Sequence, residues 1–176
     1  MAKSTNKNKD KANLQNEGGG ARSAGNGEAR RQVAALPLRR AAAGGLEVML
    51  VRSRTTGRWI IPKGWPSRRR KDHEQAAAEA REEAGVKGDV GSTPIGRFEY
   101  FKRLTETFEL VAVDVYVIGV TKELADWPEQ DARERRWMAV SEAADLVVEP
   151  GLVALLVGLD EGRIASLAPA SLLKQA

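Results

Sequence analysis

Cysteine is absent from the chain and histidine occurs once, at His73. These gaps exclude disulfides, thiolate metal centres, a cysteine nucleophile and a histidine dyad, leaving carboxylates and cations to carry any chemistry. Long apolar runs are missing as well. The longest, near Leu152 to Leu159, falls well short of the roughly 18 to 20 residues that span a bilayer, so no membrane partner is expected. The first residues are rich in lysine and asparagine, with no apolar stretch of the kind a secretory signal needs. There is no internal repeat. The expectation is a soluble, cytoplasmic protein.

At 176 residues, the chain has room for one domain with a proper core and too little for two. Residues 1–29, mostly Lys, Asn, Gly, Ser and Ala, have little to bury and are expected to form a disordered tail. A domain over 30–160 and a C-terminal tail over 161–176 complete the expected organisation. The 28 Lys and Arg against 24 Asp and Glu leave a mild excess of +4, which favours a small anionic partner; nucleic acid is not expected.

Alternation of apolar residues predicts a hairpin from Gln32–Leu38 and Glu47–Arg52, a short buried strand at Trp59–Ile61 ending at Pro62, and strands over Ile95–Lys102, Phe108–Val120 and Arg135–Val140. The segment 63–71 reads as a loop. Asp72 offers an N-cap with Gln75 three residues on, and an Ala-rich helix then runs to Gly85, the expected C′ residue. Ser141 reads as the cap of another helix, and Gly151–Leu159 as an amphipathic one. Strands mixed with few helices, the first of them mid-chain, predict a mixed β-sheet packed between α-helices, an α/β/α sandwich.

Within the mid-chain helix, Glu79, Glu82 and Glu83 stand at i, i+3 and i+4, covering about a third of the circumference. Ala76, Ala77, Ala80 and Ala84 fill the adjacent face. Small residues there let the helix lie close to a sheet and bring the carboxylates to the rim of a core. Like charges about 6 Å apart repel by about 0.7 kcal/mol per pair in water, and by about 3 kcal/mol at the effective dielectric of a protein surface. Alone, such a cluster is an ordinary solvated acidic face. A hard divalent cation, Mg²⁺ or Mn²⁺, would turn it into a site.

Pro62-Lys63-Gly64 precedes this helix, and from Gly64 onward the stretch resembles the Nudix box. Gly64, Glu79, Glu82, Glu83, Gly85 and Val86 stand at that box's spacings, with Ala80 at its first aliphatic position. Two positions depart from it. Arg70 replaces the first Glu, and Ala78 replaces the Arg that in the family sits four residues before Glu82 and orients it. Within the family the chain looks similar to the diphosphoinositol polyphosphate phosphohydrolases, which also act on diadenosine polyphosphates. Arg58-Trp59-Ile60-Ile61-Pro62-Lys63-Gly64, Glu82 through Gly88, Asp126-Trp127, Arg133, Arg135, Arg136 and Trp137 carry that likeness.

The resemblance implies a Nudix fold and a metal-dependent hydrolase that cleaves a phosphoanhydride in a small polyphosphorylated molecule by attack of water. It assigns the metal to Glu79 and Glu83 with the backbone near Lys63 and Gly64, and the base to Glu82. Its substrate-binding positions fall on Arg30, Arg31, Arg52, Arg54, Lys102, Arg103 and Arg133. Arginine suits that task because its planar fork binds phosphate oxygens in pairs. Arg58 precedes a buried Trp and reads as a structural partner. The run Arg68-Arg69-Arg70-Lys71 is expected to grip distal phosphates, Phe98 or Tyr100 to stack on an adenine, Trp127 and Trp137 to serve as core or lid residues, and His73 to be exposed. Competing readings are a hydrolase of nucleoside diphosphate-linked substrates and a non-catalytic sensor of a phosphorylated metabolite or RNA end.

Overall fold

Every residue of β1 (Arg30–Arg40) from Gln32 to Leu38 is buried, so this strand must be central, with both of its faces covered. A computed structural model describes residues 29–42, 44–159, 166 and 169–173. In it β1 lies antiparallel to β2 (Leu46–Arg52) and parallel to the long β7 (Phe108–Glu123). The path of the mixed sheet runs β3 (Trp59–Ile60), β2, β1, β7, β5 (Val86–Val90). β4 (Lys63–Gly64) adds to β1, β6 (Gly96–Arg103) to β7, and β8 (Arg135–Ala139) to β2.

The twofold period of the strands sorts their side chains into two cores. Ala34, Leu36 and Leu38 of β1 and Val111, Val113, Val115 and Val117 of β7 join residues of α2 (Val140–Leu146), α3 (Pro150–Val157) and α4 (Ala170–Leu173) on one face. Val33 and Ala35, with Tyr116, Ile118 and Val120, pack on the other face against Ala76, Ala80 and Ala84 of α1 (Asp72–Ala84). This is the expected sandwich, and among the described residues α1 is the helix on the second side. The alanine face lets the helix sit directly on the sheet.

Several details differ from expectation. β4 lies within the segment read as a loop, and β5 is a strand beyond those that alternation predicts. α1 is capped by Lys71, whose N–H donates to Glu74 Oε2 at 2.9 Å, while Asp72 is the first helical residue. α2 starts at Val140 with Ala139 as its cap. All of the expected N-terminal tail but Ala29 lies outside the described residues, as does most of 161–176. Part of that second segment is packed, however, since Leu172 is fully buried in the larger core. His73 is half-buried, its ring 6.3 Å from that of Tyr116.

The C-terminal end of α1 is fastened from outside. Gly85 adopts φ of 62°, the left-handed conformation open to glycine, and a Cβ there would fall 2.5 Å from the Trp127 ring. Arg135 lies 3.9 Å over the same ring and donates to the carbonyls of Ala84 (2.6 Å) and Gly85 (3.1 Å). Trp137 is held elsewhere, donating to Glu123 at 2.8 Å with Arg39 stacked 4.2 Å above it. Both tryptophans are structural.

Asp114 of β7 is buried and accepts from Arg31 Nε and Arg97 Nε, each at 2.7 Å. Burial pushes its carboxyl up, but the two guanidiniums outweigh burial and hold it below the usual carboxylate range. A group depressed in this way stabilises the fold above about pH 4 and loses that contribution as the pH falls. Asp114→Ala is expected to cost about 2 kcal/mol at pH 7, the worth of a charge-assisted hydrogen bond, read from urea unfolding. The deficit should shrink in acid.

Candidate active site

Glu79 and Glu83 stand one turn apart on α1, and both face β4. The Glu79 carboxylate lies where a side chain on Gly64 would be: a Cβ there would meet its Oε1 at 2.1 Å. Gln75, one turn earlier, donates to that same Oε1 at 2.7 Å and accepts from Arg70 at 3.2 Å. Burial raises the Glu79 carboxyl, the Gln75 hydrogen bond lowers it, and the charges of Glu82 and Glu129 raise it further.

Glu83 is enclosed more tightly, at 8% exposure. Its Oε2 accepts the Lys63 backbone N–H at 3.2 Å, and its Oε1 accepts from Arg133 Nη2 at 2.5 Å. Arg133 is shared, since its Nε donates to Glu129. Burial is the largest influence on Glu83 and pushes its carboxyl up to about 7 against the pull of Arg133 and Lys63. The Lys63 ammonium is driven down by burial, opposed by Glu83 and Glu149.

The raised Glu83 has a consequence for stability without metal. Between its ordinary 4.5 and about 7, the native state holds the proton that the unfolded chain releases, so stability falls as the pH rises through this window. A shift of that size corresponds to about 3 kcal/mol. Urea unfolding in chelator-treated buffer from pH 4.5 to 8 is expected to show this decline, and Glu83→Gln to flatten it.

Beside these carboxylates opens a cleft of about 500 Å³ whose walls include Gln32, Arg54, Arg58, Lys63, Glu83, Lys102, Arg103 and Arg133. Of the cations expected to hold substrate, Arg54, Lys102, Arg103 and Arg133 lie here. Arg30, Arg31 and Arg52 do not. Arg30 pairs with Glu109 at 3.0 Å and stacks 4.0 Å over Trp65. Arg31, its neighbour in a strand, points to the opposite face and joins Asp72 and Asp114. Arg52 stacks over Trp59 at 4.3 Å and donates to the Gly57 carbonyl at 2.7 Å. Arg58, expected to be structural, is exposed on the cleft wall.

The other candidate residues have different surroundings. Glu82 is exposed and borders a separate groove with Arg70, Glu74 and Ala78. Arg68, Arg69, Arg70 and Lys71 are exposed and none lines the cleft. Phe98 is 4% exposed in the core and is not presented for stacking, whereas Tyr100 is half-buried on the cleft wall, with its hydroxyl donating to Gln32 at 2.8 Å and Lys63 Nζ 5.3 Å from its ring. Burial, with nearby Glu149, raises the Tyr100 phenol to about 12. Sequence reasoning missed Glu129, which pairs with both Arg54 and Arg133, and Glu149 on the cleft wall. Glu129 stands four residues before Arg133, a spacing at which such pairs form on a helical turn.

Comparison with known proteins places this geometry. The family model described as NUDIX domain matches residues 29–155. The chain belongs to the Nudix family. It is 40% identical over 106 residues to Nudix hydrolase 12, mitochondrial, of Arabidopsis thaliana, covering 57% of this chain and 52% of that protein. To diphosphoinositol polyphosphate phosphohydrolase 2 of Rattus norvegicus it is 39% identical over 100 residues, covering 55% and 52%. The chain thus spans about half the length of these curated relatives. Among solved structures, a C. elegans Ap4A hydrolase binary complex aligns with a TM-score of 0.55 at 16% identity, over 78% of this chain and 96% of that one. A NUDIX hydrolase from Nitrosomonas europaea aligns with a TM-score of 0.58 at 13% identity, over 81% and 94%. These likenesses establish the Nudix fold. Within its Nudix box this chain keeps all three helical glutamates, and at the departing position Arg70 bonds Gln75, the partner of Glu79.

Proposed function

We propose that this chain hydrolyses a phosphoanhydride bond in a small polyphosphorylated molecule of the dinucleoside polyphosphate or diphosphoinositol polyphosphate type. The observation that carries this reading is the juxtaposition of Glu79 and Glu83 with a cleft walled by Arg54, Arg58, Lys63, Lys102, Arg103 and Arg133. The rat relative and the Ap4A hydrolase neighbour bear names of these two substrate types.

Among the described residues, no three Asp, Glu or His side chains form a ready-made metal cage. The available donors, the carboxylates of Glu79 and Glu83 and backbone oxygens beside Gly64, still fit a hard ion that keeps several of its waters, as Mg²⁺ does; Mn²⁺ is an alternative. The missing Cβ of Gly64 makes the room that the Glu79 carboxylate occupies. Once bound, such an ion polarises phosphoryl oxygens and offsets charge in the transition state.

The chain's own residues supply the rest. Arg54, Arg58, Lys102 and Arg103 bind the phosphate chain from the cleft walls, and positioning in line with the attacking water does most of the remaining work. Lys63 and Arg133 offset charge close to the reacting phosphoryl group. The family resemblance gives the proton of the attacking water to Glu82, which is exposed, borders the neighbouring groove and follows Glu79 by three residues on α1. Among the described residues, no helix is long and apolar enough to cross a membrane, and a cytoplasmic site of action is part of the proposal.

A phosphate-release screen tests the reading. Diadenosine polyphosphates, inositol pyrophosphates, nucleotide sugars and nucleoside triphosphates are offered with Mg²⁺ and then Mn²⁺, and turnover is expected for one or both of the first two classes. Turnover of none would overturn it, and turnover of nucleotide sugars alone would move it to nucleoside diphosphate-linked substrates.

A further inference from the structure

One edge of the sheet has no part in hydrolysis. β7 pairs with β1 along one side and with β5 and β6 along the other, and among the described residues no strand pairs with the outer side of β6. Such an edge presents a row of backbone donors and acceptors to any chain that fits it, and proteins commonly blunt it with a bulge, a proline or a very short strand. β6 has none of these. It is eight residues long, contains no proline and runs in unbroken register with β7 from Gly96 to Arg103.

The hairpin turn fixes which groups face outward. Leu104 N–H donates to the Thr107 carbonyl at 2.8 Å, which makes these two a hydrogen-bonded pair. In an antiparallel ladder such pairs alternate with open ones. Lys102, Tyr100 and Phe98 therefore direct their backbone groups to β7, while Arg97, Glu99, Phe101 and Arg103 turn theirs away. The side chains of these last four are exposed, Phe101 by 68%.

A second copy of β6 can pair antiparallel with this row in registers that differ by two residues, and charge selects among them. With a twofold axis at Glu99, two carboxylates meet. With the axis at Tyr100, Arg97 of each copy lies opposite Arg103 of the other. With the axis at Phe101, Glu99 lies opposite Arg103 twice over and the two Phe101 rings are neighbours, so each cross-strand pair is a favourable one. The adjoining rows agree. β7 sets Leu110 beside Phe101, so this apolar row continues across the axis into its own image, and on the other face Tyr100 meets Lys102. We propose that this chain self-associates through β6, in an antiparallel pair about a twofold axis at Phe101 that joins two sheets edge to edge. Arg103 has several N–H donors, so a carboxylate from the second copy leaves others for the cleft that it lines. The pairing does not depend on the hydrolytic reading.

Sedimentation equilibrium of the full chain, without substrate or metal, tests it. The mass is expected to rise with loading from 19.1 kDa towards twice that value. Glu99→Arg and Arg103→Glu each set like charges opposite one another at both ends of the pair, and each is expected to raise the dimer dissociation constant by roughly tenfold or more. The double variant Glu99→Arg/Arg103→Glu should recover the wild-type constant. An equimolar mixture of the two single variants should form a heterodimer, because each supplies the charge that the other lacks. Phe101→Lys, which brings two ammonium groups to the axis, should leave a monomer. The substituted side chains are exposed, so the fold should hold, and thermal melting checks this. A monomer at every loading, a dimer indifferent to Glu99→Arg, or a double variant as weak as the single ones would each overturn the proposal.

Discussion

Replacing Glu83 with glutamine is expected to lower kcat/KM on the preferred polyphosphate by on the order of 10³, with loss of Mg²⁺ affinity. The substitution keeps the size of the side chain and removes its charge. The single carbonyl oxygen of glutamine can keep the Lys63 N–H, and Arg133, which loses its acceptor on this side chain, keeps Glu129 as a counterion. The fold should therefore survive, and at pH 8 the metal-free variant should match or exceed the parent in stability, because a buried charge has been removed. Rates must be paired with a metal titration, most directly of Mn²⁺ by electron paramagnetic resonance. A kcat/KM within threefold of the parent would exclude Glu83 from the metal site.

Gly64→Ala is expected to be nearly as damaging, although it removes no functional group. The added methyl would lie 2.1 Å from Glu79 Oε1 and 2.2 Å from Cδ, so the carboxylate must leave its place. Displacement of a catalytic group by about 1 Å costs on the order of 10² in rate. Stability should fall by about 1 kcal/mol, since Glu79 is flexible enough to yield. Shortening it in the double variant Gly64→Ala/Glu79→Asp should recover part of the metal affinity lost by Gly64→Ala. If the single variant kept full activity, the contact between β4 and the helix would have no bearing on function.

The parts of this molecule that could be read from sequence are those in which one pattern repeats. The alanine face and the acid spacing of α1 recur over several turns, and the alternation of β7 persists along a long strand, so both were legible. β4 is two residues long and has no period. β5 carries Lys87, Gly88 and Asp89 between its valines, and it became a strand by pairing with β7 rather than by its own alternation. The cations were harder still. Arg30 and Arg31 are the same residue type side by side, yet a strand sends them to opposite faces, and only the pairing of β1 with β7 decides which face meets the cleft. Glu149 had one local sign, a long acid at a position that favours short caps, and its burial was not visible until α3 was set against β6.

The direction of α1 adds a last consequence. Glu82 and Glu83 lie in its final turn, where backbone carbonyls point outward and the helix presents the negative end of its dipole. Anions are disfavoured there by about 0.3 to 1 kcal/mol each. The acids of this site therefore sit at the wrong pole of their own helix. Arg135, bonded to the carbonyls of Ala84 and Gly85, offsets that field from outside, which makes a guanidinium far from the substrate a determinant of how strongly the inner carboxylates attract a cation.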